Sequence, residues 1–317
     1  MNLTLCNSVE KFLFHCRYEK HLNPKTLKAY QCDLGQFWQF VSNIDPFLHI
    51  DGIGKDVLKE YLKQLSPLKP KTFKRKVATL KAMFNFLEFD DVLEVNPFRK
   101  LRIKINDPHI LPVVMTLNEV KEILEVLYKE MRGFKNKSRF KQFEYARNIA
   151  VVELLFATGI RVSELCDIRI ENINFDSGIL KILGKGDKER TIQIFPCDPL
   201  KRIQEYYSYR LLMNHSPFLF VNRLGVKLST QSVRLLVKRI SEKAEISKKI
   251  RPHTFRHTFA TLLLEEGIDI KYIQTLLGHS SIVTTQIYTH VTNLKQNAII
   301  INQHPRRNMT IGYLNNG

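Results

Sequence analysis

The stretch Ile168–Phe195, IRIENINFDSGILKILGKGDKERTIQIF, decides the fold, because it breaks the helical habit of the sequence around it. It holds three short runs rich in isoleucine: IRIENINF (168–175), GILKIL (178–183) and RTIQIF (190–195). The turns DSG and GKGDKE separate them, and connections that short join neighbouring antiparallel strands. The expectation is a small three-stranded antiparallel sheet inside a mainly α protein.

Upstream of the sheet, IAVVELLFATGI (149–160) reads as an apolar helix. The basic stretch RGFKNKSRFKQFEYARN (132–148) before it reads as holding a loop. Before that, TLNEVKEILEVLYKEM (116–131) begins a helix with Thr116 and Glu119 in capping-box spacing. Downstream, helices dominate again from Ser229 onward, among them RPHTFRHTFATLLLEEG (251–267).

The first hundred residues read as helices. SVEKFLFHCRYEK (8–20) places Val9, Phe12, Leu13 and Cys16 on one stripe. NPKTLKAYQCDLGQFWQFV (23–41) opens with Asn23 as N-cap and Pro24 at the first helical position, and Leu27, Tyr30, Leu34, Phe37, Trp38 and Val41 continue the spacing. A third helix covers GKDVLKEYLKQL (54–65) and a fourth KPKTFKRKVATLKAMFNFLEF (69–89). In the fourth, Phe73, Val77, Leu80, Phe84 and Leu87 form the buried side, while Lys71, Lys74, Arg75 and Lys81 lie on or near the opposite one. NPFRKLRIKINDPHILP (96–112) carries three prolines and no helical stripe, so it reads as extended chain between domains. The expected organisation is a helical bundle over residues 1–103, a linker over 104–112 and a mainly helical domain over 113–317.

The chain of 317 residues is 44% hydrophobic, as in an ordinary globular protein. Its 49 Lys+Arg against 31 Asp+Glu give a formal net charge of +18, spread along the whole length, which points to a polyanion as partner. A solubilising surface would show the same excess. Cys6, Cys16, Cys32, Cys166 and Cys197 form neither a CxxC pair nor an even set, so reduced thiols in a cytoplasmic protein are expected and no zinc site is indicated. The stretch MNLTLCNSVEKFLFHC (1–16) does not read as a basic leader followed by an unbroken apolar core, and no run approaches the roughly 20 apolar residues of a membrane span. No membrane partner is expected.

Arg161 follows Gly159 at a break in an apolar helix, and Glu164 lies three residues on, within reach of the guanidinium. Alone, the two read as a structural ion pair. Lys185 sits in the hairpin GKGDKER, where a lysine is ordinarily solvated; the GxG fragment lacks the rest of a nucleotide-binding loop, so neither ATP nor NAD is supported. His253 and Arg256, three apart at a helix start, share a face and suit an anion clamp, or are a pair of surface cations. Gly267 and Gly278 read as helix ends; His279 follows the second, and Ser280 or Ser281 caps a short segment carrying Tyr288. A tyrosine beside Ile287 is ordinarily core filling. Together, two arginines, two histidines, a lysine and a phenol, without a carboxylate pair or metal cluster, suit phosphoryl transfer from a diester to a protein hydroxyl.

ATGIRVSEL (157–165), GKGDKER (184–190), HTFRHTFAT (253–261) and LLGHSSIVTTQIYTHV (276–291), in this order and at these separations, resemble the tyrosine recombinase (phage integrase) family, most closely its Xer-type members. NPKTLKAYQCDL (23–34), KPKTFKRKVATLKAMFNFL (69–87) and NPF (96–98) resemble the family's core-binding domain, so the resemblance covers nearly the whole chain. It implies a core-binding bundle ahead of a catalytic domain, and a catalytic set of Arg161, Lys185, His253, Arg256, His279 and Tyr288, with Glu164 behind it. Position 279 is tryptophan in some relatives. Two features depart from the family pattern: the length of the basic stretch Arg132 to Arg147, and the tail HPRRNMTIGYLNNG (304–317).

The resemblance further implies that Tyr288 attacks a phosphodiester of double-stranded DNA, leaving a 3′-phosphotyrosyl link and a free 5′-hydroxyl. Arg161 and Arg256 neutralise the non-bridging oxygens and His279 donates a hydrogen bond; His253 accepts the phenolic proton and Lys185 protonates the leaving oxygen. No cofactor or metal is required. Strands exchange pairwise through a Holliday junction in a homotetramer on DNA, from a monomer or weak oligomer when free, with an accessory recombinase or directionality protein as a further partner. The tail, about 293–317, docks on a neighbouring protomer or packs in cis. Deletion after Thr292 is then expected to abolish synapsis and spare DNA binding. Chromosome dimer resolution, mobile-element integration or excision, and inversion of a segment are all open. Two rivals remain on sequence alone: a type IB topoisomerase-like enzyme, and a catalytically silent DNA-binding regulator.

Overall fold

A computed structural model describes residues 3–105, 113–133, 138–184, 189–196, 198–211, 216–278, 300–301 and 304–309. It divides into two compact units, Met1–Ile110 and Leu111–Gly317.

Among the described residues the N-terminal unit holds four α-helices. α1 (Leu5–Phe14) starts where the Thr4 hydroxyl accepts the Asn7 N–H at 3.2 Å, and it runs on as a π-helical turn over His15–Glu19. α2 (Pro24–Ile44) is capped by Asn23, whose side-chain oxygen accepts the Lys25 N–H at 2.9 Å. α3 (Lys55–Leu65) and α4 (Pro70–Phe89) complete the bundle. Phe12, Leu34, Phe37, Val41, Leu58, Met83 and Phe84 form its core. The bundle differs from expectation at two places. Trp38 is 45% exposed, because the stripe through Leu34, Phe37 and Val41 already fills the space between helices. The α4 surface is also more than a cationic face: Lys76 is buried and, with Arg75 and Thr79, holds the buried Asp33 of α2. Of the expected linker, residues 106–112 lie outside the described residues.

The C-terminal unit opens with α5 (Leu117–Arg132), which carries the expected capping box: Thr116 Oγ1 accepts the Glu119 N–H and Glu119 accepts the Thr116 N–H. α6 (Arg139–Thr158) is the spine, with every residue from Asn148 to Thr158 buried, as befits a helix packed on all sides. Because α6 starts at Arg139, most of the basic stretch read as holding a loop is helical. After α7 (Val162–Asp167) come β1 (Ile173–Asn174), β2 (Ile179–Leu183) and β3 (Glu189–Gln193), antiparallel in the order β1-β2-β3, with Leu180 opposite Ile192 and Ile182 opposite Arg190. The sheet is as expected, but β1 is shorter than the run IRIENINF. Ile168 and Ile170 bond instead to the backbone of Leu219 and Pro217, and Ile170–Asn172 forms a 3-10 turn.

α8 (Asp198–Leu211) is a helix the sequence reading passed over. α9 (Thr230–Lys243), capped by Ser229, α10 (Pro252–Glu265) and α11 (Ile270–Leu277) follow. Near the end of the chain, Ile300 packs with Phe259, Leu263, Ile273, Leu276 and Leu277, and a 3-10 turn covers Pro305–Asn308. Among the described residues no helix is long and apolar enough to cross a membrane.

Gly159 ends α6 at φ 59°, and a Cβ there would lie 2.6 Å from the Phe259 ring and 2.9 Å from Leu277. Glycine is therefore required twice over, by backbone conformation and by close approach. The turn it permits brings the next residues, Ile160 and Arg161, to the place where α6, α10 and α11 meet.

Candidate functional site

Arg161 is the residue before α7, and its side chain is 34% exposed. Its Nη1 donates to Glu164 Oε1 at 2.8 Å and its backbone N–H to Glu164 Oε2 at 2.9 Å, so the pairing expected from the i,i+3 spacing is present. Its Nη2 donates to the Gly278 carbonyl at 3.1 Å. Arg256 lies on the first turns of α10, buried, with Nη1 donating to the Gly159 carbonyl at 2.9 Å and Nη2 to that of Leu277 at 2.5 Å.

His253 stands one helical turn before Arg256, exposed at the start of α10. Its pKa is held below 6.5 by partial desolvation first and then by the positive surroundings of His257, Arg256, Arg234 and Arg161. It is therefore neutral at pH 7 and able to accept a proton. Burial, and then the charge of Arg161, lower the Arg256 guanidinium to about 10, which leaves it charged at neutral pH. Burial pushes the Glu164 carboxyl up, but hydrogen bonds and charge from Arg190 and Arg161 outweigh that and hold it below the usual carboxylate range. The site thus joins fixed cations, one ionised carboxylate behind them and one neutral imidazole, a set suited to a dianionic transition state and unsuited to binding a cation.

Of the seven residues singled out, the fold brings Arg161, Glu164, His253 and Arg256 together. Lys185, His279 and Tyr288 lie outside the described residues. Gly184 and Glu189 flank the first, and Gly278, the αL residue ending α11 at φ 63°, precedes the second. Among the described residues no group of three histidine, cysteine or carboxylate side chains gathers to hold a metal ion.

One residue at the site was missed. Arg190 donates through Nη1 and Nη2 to Oε1 and Oε2 of Glu164 at 3.1 and 2.7 Å, and through Nε to the Leu276 carbonyl at 3.1 Å. The sequence does hold a signal for it. Arg190, Ile192 and Ile194 alternate, both isoleucines are buried, and an arginine on the buried register of a strand must have a partner inside.

The sequence profile of the phage integrase family matches residues 114–295, and that of the phage integrase N-terminal SAM-like domain matches residues 9–89. A tyrosine recombinase of Agathobacter rectalis is 41% identical over 304 residues, covering 94% of this chain and 96% of the relative. The tyrosine recombinase XerC of Thermodesulfovibrio yellowstonii is 33% identical, covering 89% of this chain and 91% of its own. Among solved structures, the XerH site-specific recombinase bound to its palindromic difH substrate in a post-cleavage complex shares the fold, with a TM-score of 0.67 at 24% identity over 92% of this chain and 83% of that one.

Proposed function

Because the chain belongs to the phage integrase family and is a Xer-type site-specific recombinase, we propose that it breaks and rejoins DNA through a phosphotyrosine at Tyr288. The phenolic oxygen attacks the scissile phosphorus, the bond to the 5′-oxygen breaks, and a 3′-phosphotyrosyl ester and a 5′-hydroxyl result. His253, kept neutral by its surroundings, accepts the phenolic proton, and Lys185 delivers one to the departing oxygen. Arg161 and Arg256 bind the non-bridging oxygens, and His279 adds a hydrogen bond as charge builds. Glu164 orients Arg161. One phosphoester replaces another, so the exchange needs no energy source, and direction comes from assembly.

The observation that carries this reading is the fixing of two guanidiniums, Arg161 and Arg256, on backbone carbonyls of Gly278, Leu277 and Gly159, with a neutral imidazole one turn away. Such donors need no rearrangement as the transition state forms, which is how electrostatic catalysis works. Exchanging both strands of two duplexes takes four nucleophiles, and hence a tetramer passing through a Holliday junction. The net charge of +18 supports DNA as the partner, bound chiefly through phosphate, with affinity that falls steeply as salt rises.

The test uses a nicked half-site duplex of the sequence recovered by binding selection from random duplexes. Wild type should become covalently trapped on it, and Tyr288→Phe should bind without trapping. Relaxation of supercoiled plasmid with no exchange between sites would make the protein a topoisomerase. A mobility shift with no trapping by wild type would make it a silent binder.

A further inference from the structure

The last three carbonyls of the α11 end each take a different arginine: Leu276 from Arg190, Leu277 from Arg256 and Gly278 from Arg161. A helix C-terminus presents unpaired carbonyls and the negative end of its dipole, so cations there are favourable. Two of these arginines have roles in the proposed chemistry. The third, Arg190, comes from β3 and has none.

Arg190 does two things at once. Its fork takes both oxygens of Glu164, the same carboxylate that receives the Arg161 side chain and backbone. Its Nε ties that carboxylate to α11. A Cβ at Gly278 would lie 2.8 Å from Arg190 Nη1, so the guanidinium also fills the space beside the last residue before position 279. The Arg190 side chain is 13% exposed against 34% for Arg161, so Arg190 faces inward while Arg161 keeps an accessible edge.

We propose that Arg190 is a positioning residue for DNA cleavage: it shares the charge of Glu164, leaving Arg161 net positive toward phosphate, and it locks the end of α11 from which the His279–Tyr288 segment departs. Two guanidiniums on one carboxylate leave one net positive charge, whereas Arg161 and Glu164 alone form a neutral pair. Without Arg190 the carboxylate closes on Arg161 and the Leu276 carbonyl loses its donor. Binding of DNA, carried by many phosphate contacts, changes little, while the cleavage step suffers.

This rests on the proposed phosphotyrosine mechanism, so wild-type trapping on the selected nicked half-site is the first control; its absence would defeat that mechanism rather than this inference. Given trapping, Arg190→Gln should cut the single-turnover trapping rate by roughly 100-fold, the scale of a misplaced catalytic group, with the Kd for the same duplex altered by no more than about threefold. Arg190→Lys should recover only part of the rate, because an ammonium cannot engage both carboxylate oxygens in a fork. Glu164→Gln added to Arg190→Gln should cost little more than either alone, as groups acting as a unit do. The proposal falls if Arg190→Gln traps within about threefold of wild type, if its rate loss is matched by an equal loss of binding, or if the double variant is additive. Should Arg190→Gln melt below the assay temperature, a folded Arg190→Lys that cleaves at the wild-type rate overturns it equally.

Discussion

Glu164 and Glu153 are both buried carboxylates of the C-terminal unit, and arginine holds both, yet the two clusters are built for opposite ends. Around Glu153 both the carboxylate and its arginine are closed in. The carboxylate on α6 accepts the Tyr128 hydroxyl at 2.6 Å and Arg306 Nη2 at 3.4 Å, Asp198 takes the same nitrogen at 3.1 Å, and the Arg306 side chain is 2% exposed. Burial first, and then Glu153, push the Tyr128 phenol well up. Beside it, His304 is wedged among Phe156, Phe195 and Phe259. Around Glu164 the same kind of pairing leaves the Arg161 edge open. A guanidinium sealed on every side anchors the chain; one held from behind can take a phosphate.

The widest separation between the clusters should appear in stability. Arg306→Ala leaves Glu153 buried without its cation and should cost about 3–5 kcal/mol, read as a fall in urea midpoint. A cut after Thr292 removes His304, Arg306 and Met309 from the core as well, so it tests folding together with assembly, and intact DNA binding after it is no longer expected. Arg161→Ala should do the reverse, lowering trapping by about 10²–10³-fold while moving the urea midpoint little. Equal losses of stability in both variants would erase the distinction.

His304 Nδ1 accepts the Arg306 N–H at 2.9 Å and Nε2 lies 2.8 Å from the Ala157 carbonyl, so the ring is neutral with its proton on Nε2. Burial above all pushes its pKa down to about 4. An unfolded imidazole takes its proton near 6.5, so below that pH the unfolded chain binds more protons and stability falls, by about 3 kcal/mol in total as the pH reaches the folded value. His304→Gln should flatten this part of the acid-denaturation curve. The smallest effect is on rate: the acid limb of trapping assigned to His253 should lie below 6.5, since its neutral form is favoured, and should vanish in His253→Gln.

Much of this was legible in the sequence. Period-3.6 stripes marked most helices, the Thr116–Glu119 box marked a helix start, and i,i+3 spacing put Arg161 with Glu164 and His253 with Arg256. Charges that point inward were harder. In α8, Leu200, Ile203 and Tyr206 form a stripe that ends on a buried arginine, Arg210, which blurs the pattern. His304 and Arg306 carry no such pattern, because their partners, Ala157 and Glu153, are brought to them only by tertiary packing. His304, Arg306 and Met309 of the tail pack into their own C-terminal unit, the cis alternative expected for it.

The glycine at the end of α6 has a consequence for how this centre can change. Where Phe259 and Leu277 press on position 159, a single hydrogen atom is the spacer between three helices, two of which carry or anchor Arg161 or Arg256. Adding one methyl group there would wedge them apart by a fraction of an ångström, and both guanidiniums would drift with their supports. Substitutions elsewhere can redirect which duplex is grasped, but the gauge between the two cations is set by an atom that no mutation can make smaller.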